Sequence, residues 1–135
     1  MNAVDTDILI YAHDPRDSTK QAIASSLLAS LSDGVLLWQV ACEYLAASRK
    51  LEPFGYKSEQ AWQDVEDMRD AWHTILPAWG TMDREKQLLK KYALSHWDAL
   101  IIAACLENGV DRLYSEDFDA YSIVDGFVIV NPFAS

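Results

Sequence analysis

Four acidic side chains interrupt segments of this chain that otherwise read as buried core, and their chemistry is that of a cation site. Asp5 lies within Ala3-Val4-Asp5-Thr6-Asp7-Ile8-Leu9-Ile10-Tyr11, and Glu43 within Val40-Ala41-Cys42-Glu43-Tyr44-Leu45. Asp98 heads the run Asp98-Ala99-Leu100-Ile101-Ile102, and Asp117 follows the short apolar pair Leu113-Tyr114. A carboxylate at the edge of a core is costly unless it is paired with a cation or binds a metal. Most of these four have no Lys or Arg beside them in sequence. A divalent cation is the expected counter-charge.

Each acid has a plainer reading when taken alone. Ser95 and Asp98 have capping-box spacing, and an acid in the first turn suits the helix dipole. A first-turn Glu43 is ordinary. Asp5 with Asp7 reads equally as a strand-end turn, and Asp117 with Glu116 and Asp119 as a solvated loop. What separates the readings is whether one fold brings all four to one edge.

The pattern of elements predicts that it does. A strand is expected over residues 2–5, extending towards Leu9, then a helix opened by a capping box at Ser18-Thr19-Lys20-Gln21. Val35 to Trp38 reads as a buried strand and Gln39 to Leu51 as a helix ending before Pro53 and Gly55. Ser58 to Trp72 reads as an acidic helix, with Trp62, Val65, Arg69 and Trp72 sharing a face. Ile75 to Trp79 is a short edge strand, because Pro77 does not suit a central one. Helices over Asp83–Leu94 and Trp97–Asn108 and strands over Val110–Ser115 and Phe127–Val130 complete the chain. Strands separated by helices imply crossover connections. The fold class is therefore α/β, with a mainly parallel sheet of four to five strands and helices on both faces. Sites in such sheets form beyond the C-terminal strand ends. Asp5 and Asp117 belong there directly, Glu43 and Asp98 as first-turn residues of helices entering from that edge.

At 135 residues the chain fits one domain, residues 1–135, large enough to bury a core. No apolar run approaches the ~20 residues of a membrane-spanning helix, and no basic segment precedes an apolar stretch at the N-terminus. Cys42 and Cys105 sit on separate predicted helices and read as small core residues of a reducing compartment. A cytoplasmic protein is expected. The net charge of −10 opposes nucleic-acid binding taken alone, since phosphate affinity comes from Lys and Arg. A cation held by several carboxylates would reverse the local sign.

The local words, in order, resemble the PIN-domain family across nearly the whole chain. Val4-Asp5-Thr6-Asp7-Ile8-Leu9-Ile10-Tyr11-Ala12 is similar to the family's first strand, where the usual word is Asp-Thr-Asn. Glu43-Tyr44-Leu45, Ser95-His96-Trp97-Asp98-Ala99-Leu100-Ile101 and Ser115-Glu116-Asp117 resemble its next three acidic positions. The closing Val130-Asn131-Pro132-Phe133 is similar to the ending of many VapC-type toxins within that family. The resemblance implies a metal-dependent endoribonuclease, the toxin of a toxin–antitoxin pair, in which Asp5, Glu43, Asp98 and Asp117 hold Mg²⁺ or Mn²⁺. Asp5 and Asp98 would be the principal ligands. It further implies an RNA substrate, a homodimer, and an antitoxin whose tail covers the cleft and inserts a basic side chain among the acids.

Asp7 departs from the usual Asn. In a strand it would point to the same side as Asp5. With Ser115 and Glu116, it is expected to orient the metal ligands rather than to bind the ion. Arg16, Lys20, Arg49 and His96 are candidate contacts to the RNA backbone, although a lone His before a helix is more often structural. Two rivals remain open. One is a Mg²⁺-dependent phosphatase on a similar sheet, for which Asp5 and Asp7 supply paired acids but no Lys precedes Asp98. The other is a non-catalytic interaction protein with a PIN-like fold.

Overall fold

The computed structural model describes residues 1–118 and 121–134, so Asp119 lies outside the described residues. Within the described residues, six strands form one sheet: β1 (Asn2–Val4), β2 (Gly34–Leu37), β3 (His73–Ile75), β4 (Arg112–Tyr114), β5 (Ile123–Val124) and β6 (Phe127–Val130). Their spatial order is β3-β2-β1-β4-β6-β5, and all pairs are parallel except β5 with β6. Among the described residues, six α-helices connect them: α1 (Thr6–Tyr11), α2 (Ser18–Ser30), α3 (Trp38–Ala47), α4 (Ser58–Ala71), α5 (Trp79–Lys91) and α6 (His96–Glu107).

The order explains the two helical layers. From β1 the chain steps outward through β2 to β3, then returns across the sheet to β4 on the other side of β1. Right-handed crossovers in opposite directions place their helices on opposite faces. Accordingly α1 packs on α2 and α3, α3 packs on α4, and α5 pairs with α6. The winding reverses between β1 and β4, and a crevice opens beyond their C-terminal ends. Ala3, Val4, Val35, Leu37 and Leu113 fill the sheet interior, with Ile8, Leu51, Leu88 and Ile102 covering it from the helices.

Several boundaries differ from the expectations. The first strand stops at Val4, and the run expected to continue it to Leu9 is helical from Thr6. Asp5, with φ −82° and ψ 165°, ends the strand and caps α1. Ile8, Leu9 and Ile10 are all buried in the helix, so their continuous apolar character fits both states; short apolar runs carry this ambiguity. The α2 cap is Asp17, whose carboxylate accepts from the Lys20 amide at 3.0 Å, rather than Ser18. After α3 the chain tightens into a 3₁₀ turn over Ser48–Phe54 that contains Pro53 and ends at Gly55, φ +97°. β3 ends before Pro77, and α5 begins at Trp79, four residues ahead of the expected start.

Beyond the expected four to five strands, the sheet gains β5. It pairs with β6 through a hairpin whose turn is Asp125-Gly126, φ +48° and +81°. Two successive positive φ values define the turn that matches strand twist, and Asp-Gly is its preferred sequence. Cys105 is buried as expected, whereas Cys42 is exposed. Among the described residues no helix is long and apolar enough to cross a membrane.

The predicted aromatic face of α4 divides. Trp62, Val65 and Arg69 line a groove with Trp38, Cys42 and Leu76. Trp72 lies past the last helical residue and covers Gly34 at the start of β2. A Cβ added at Gly34 would fall 2.3 Å from its ring.

Candidate metal centre

The ends of β1 and β4 are adjacent because Val4 pairs with Tyr114, and each strand delivers acids immediately afterwards. Asp5 is buried, with one oxygen accepting from the Thr6 amide at 2.7 Å and the other from Ser115 Oγ at 2.8 Å. Ser115 Oγ in turn accepts from the Asp117 amide at 3.1 Å. Asp7 reaches the same loop from the first turn of α1: its Oδ2 accepts from the Glu116 amide at 2.9 Å. The other Asp7 oxygen, Oδ1, is buried without a hydrogen-bond partner. One oxygen from each of Asp5, Asp7 and Asp117 lies within 4.8 Å of the others.

Glu43 and Asp98 adjoin this group without belonging to it. Glu43 projects from α3 and accepts from Thr6 Oγ1 and from Gln39 Nε2, both at 2.9 Å. Gln39 Nε2 also points to the Trp97 carbonyl at 3.5 Å, linking α3 to the start of α6. Asp98 sits in the first turn of α6, where Ser95 Oγ accepts from its amide at 3.1 Å. Both the plain reading of Asp98 as a capping-segment acid and its position near Glu43 are therefore realised. The Glu43 charge is felt at Asp98, and the Glu43 and Asp117 charges are both felt at Asp5.

No Lys or Arg among the described residues forms an ion pair with Asp5, Asp7, Glu43 or Asp98. Burial therefore goes uncompensated. It pushes the Asp5 carboxyl up to about 6 despite the bonds from Ser115 and Thr6, with the Asp117 and Glu43 charges adding to the rise. Asp7 is pushed up to about 8, by burial first and by the Asp5 charge second. Burial also raises Asp98 above the usual carboxylate range, with Glu43 adding. Desolvation and like charge act in the same direction on an acid, and a bound cation reverses both.

A divalent ion fits this donor set. Oxygens around an octahedral Mg²⁺ at about 2.1 Å lie roughly 3–4 Å apart, so the observed group needs only a small contraction. All donors are hard carboxylate oxygens, as Mg²⁺ and Mn²⁺ prefer. The unpartnered Asp7 oxygen is a second sign, since a buried acceptor without a donor otherwise costs free energy.

The remaining candidates have other commitments. Arg16 forms a two-pronged contact with the buried Asp14, at 2.9 and 2.8 Å, and lies over the Phe54 ring. Lys20 Nζ donates to Glu116 at 2.7 Å. His96 lies against the buried Glu85 carboxylate of α5, which supports the structural reading of this side chain. Arg49 is exposed in the 3₁₀ turn.

Thr6, Gln39 and Tyr11 are contributors that sequence reasoning passed over. Gln39 stands four residues before Glu43 on one helix, a spacing at which side chains meet, so its role was readable. Thr6 needed the helical reading of Asp5–Tyr11.

The PIN-domain family model matches residues 3–126 of the chain. The chain belongs to the PIN-domain family. Solved structures with the same fold include a toxin–antitoxin complex from Klebsiella pneumoniae, at TM-score 0.71 and 19% identity, covering 98% of both chains. Another is VapC20 of Mycobacterium tuberculosis, described as a Sarcin-Ricin loop cleaving toxin, at TM-score 0.70 and 15% identity, covering 88% of this chain and 92% of that one. VapBC2 from Rickettsia felis, bound to a promoter DNA fragment, matches at TM-score 0.66 and 16% identity over 96% and 97% of the two chains. No match was found among curated proteins.

Proposed function

We propose that this protein is a Mg²⁺- or Mn²⁺-dependent endoribonuclease and the VapC-like toxin of a type II toxin–antitoxin pair, acting in the cytoplasm. The observation that carries the reading is the convergence of Asp5, Asp7 and Asp117 oxygens, without a basic partner for the first two, beside Glu43 and Asp98. Asp5 and Asp117 hold the ion, and Asp7 both offers an oxygen and fastens the Glu116 amide. Asp98, in the first turn of α6 where the Glu43 charge acts on it, completes the ligand set with Asp5. A divalent ion there supplies a Lewis acid for the scissile phosphodiester and lowers the pKa of water. Glu43, held by Thr6 and Gln39, orients or accepts a proton from the attacking water. Thr6 and Ser115 keep the Asp5 carboxylate aimed into the crevice.

The partners follow the same reading. The substrate is RNA, and its phosphates meet a cation despite the net charge of −10. The similar structures from Klebsiella and Rickettsia contain toxin–antitoxin assemblies, which supports a cognate antitoxin here. An Arg from that antitoxin would satisfy two of the unpaired carboxylates at once and compete with the ion. The exposed Trp38, Trp62, Leu76 and Trp79 offer apolar surface for association, in keeping with a homodimer.

The test is to assay purified protein on single-stranded RNA and on a phosphomonoester, each with Mg²⁺ and with chelator. RNA cleavage confined to the Mg²⁺ arm is expected. Phosphomonoester turnover without RNA cleavage would transfer the site to phosphatase chemistry, and inactivity on both would favour a binding protein.

A further inference from the structure

Glu116 is an acid at the edge of the metal centre whose carboxylate faces away from it. Lys20 Nζ of α2 donates to one oxygen at 2.7 Å, and the Tyr11 hydroxyl of α1 donates to the other. Lys20 also points to the Tyr11 oxygen at 3.3 Å and lies 4.7 Å from the centre of the Tyr11 ring and 5.3 Å from that of Phe133. Those two rings meet edge to face at 5.0 Å. The ammonium group is thus held by two helices, the loop after β4 and the segment after β6.

The backbone of Glu116 does the opposite job. Its amide faces inward and donates to Asp7, its predecessor Ser115 donates to Asp5, and its successor Asp117 supplies the third oxygen. The inner fastenings of this loop therefore run to acids that repel Asp117 and one another whenever they are ionised. An outer tie opposes that repulsion without occupying the centre.

We infer that Lys20 is a positioning residue of the metal centre, acting through Glu116 to hold the Ser115–Asp117 loop against carboxylate repulsion, rather than a contact to RNA. The inference rests on the metal-dependent reading above. A partly exposed ion pair contributes little to global stability, so the effect is local. It falls on the spacing of the three oxygens, where outer partners of metal ligands commonly change affinity by about tenfold or more.

The experiment compares wild type, Lys20→Met, Lys20→Arg and Glu116→Gln in three measurements. These are Mg²⁺ affinity by calorimetry, cleavage of single-stranded RNA across a Mg²⁺ titration, and amide exchange at Glu116 and Asp117 in chelator. Lys20→Met and Glu116→Gln are expected to weaken Mg²⁺ binding about tenfold, with cleavage recovering at saturating Mg²⁺ and KM for RNA unchanged. Their Glu116 amide exchange should rise in chelator, and Lys20→Arg should restore all three measurements. Unchanged Mg²⁺ affinity and exchange in Lys20→Met would overturn the inference, as would a raised KM at unaltered metal affinity, the signature of an RNA contact. Wild type that binds no Mg²⁺ and leaves RNA intact would remove the nuclease reading instead. The exchange arm would still decide whether Lys20 holds the loop.

Discussion

Ser115 Oγ donates to Asp5 Oδ2 at 2.8 Å, joining the C-terminal ends of two neighbouring strands from opposite ends of the chain. The same hydroxyl accepts from the Asp117 amide, so one small side chain sets the separation of two acids. Because Ser115 is buried, water cannot replace it without rearrangement.

Ser115→Ala should therefore weaken Mg²⁺ binding by roughly 10–100-fold, the usual range for outer partners of a metal ligand. It should also cost about 1–3 kcal/mol of stability at neutral pH by leaving a buried acceptor unsatisfied. Calorimetric Mg²⁺ titration and denaturant unfolding check the two effects separately.

Asp5→Asn should behave oppositely in stability. It removes a desolvated charge that faces Asp117 and Glu43, while Asn remains a competent helix cap for α1. Thermal unfolding in chelator at pH 8 should show the variant at least as stable as wild type, by about 1–3 kcal/mol on the scale of one to two units of relieved pKa shift. A variant markedly less stable than wild type would mean that the Asp5 charge is compensated in the metal-free protein.

The pH dependence carries the same sign. Asp5 and Asp7 are raised to about 6 and about 8 in the folded protein, above their ordinary value of 3.8. Between those values the folded state binds more protons than the unfolded one, so stability falls as pH rises. In chelator, the melting temperature should decline from pH 5 to pH 8. Mg²⁺ should remove most of that decline, because it stabilises the ionised acids. Melting curves at four pH values with and without Mg²⁺ test this, and a metal-free profile that rises with pH would contradict it.

How much of this was legible in the sequence depended on what kind of signal each element carries. β6 was read with its observed bounds because Phe127 to Val130 is a compact β-rich run. The acids were readable because each breaks an apolar segment. Thr6–Tyr11 was misread because six residues are too few for a helical period to emerge from Ile8-Leu9-Ile10. The consequence reached the site: Asp7 was placed beside Asp5 by strand alternation, whereas it arrives there from a helical turn. β5 escaped notice although Asp125-Gly126 announces a hairpin, since Ile123-Val124 is too short to register as a strand. Lys20 read as a free cation because its partner Glu116 is 96 residues away.

Gly34 tests the sheet independently of the site. A Cβ there would meet the Trp72 ring at 2.3 Å, so Gly34→Ala must displace the indole that seals the start of β2. Overpacking of this kind costs about 1–3 kcal/mol. The expected result is a lower melting temperature with the Mg²⁺ affinity of wild type, read by unfolding and calorimetry.

On the proposed reading, the acids at the β1/β4 crevice form a metal centre for RNA hydrolysis. The most direct measurement is cleavage of single-stranded RNA in Mg²⁺ by wild type, Asp5→Asn and Asp98→Asn, with folding of each confirmed by thermal unfolding. Cleavage by wild type alone, abolished by chelator and absent in both folded variants, is the predicted result. Wild-type-like cleavage by both variants would contradict it.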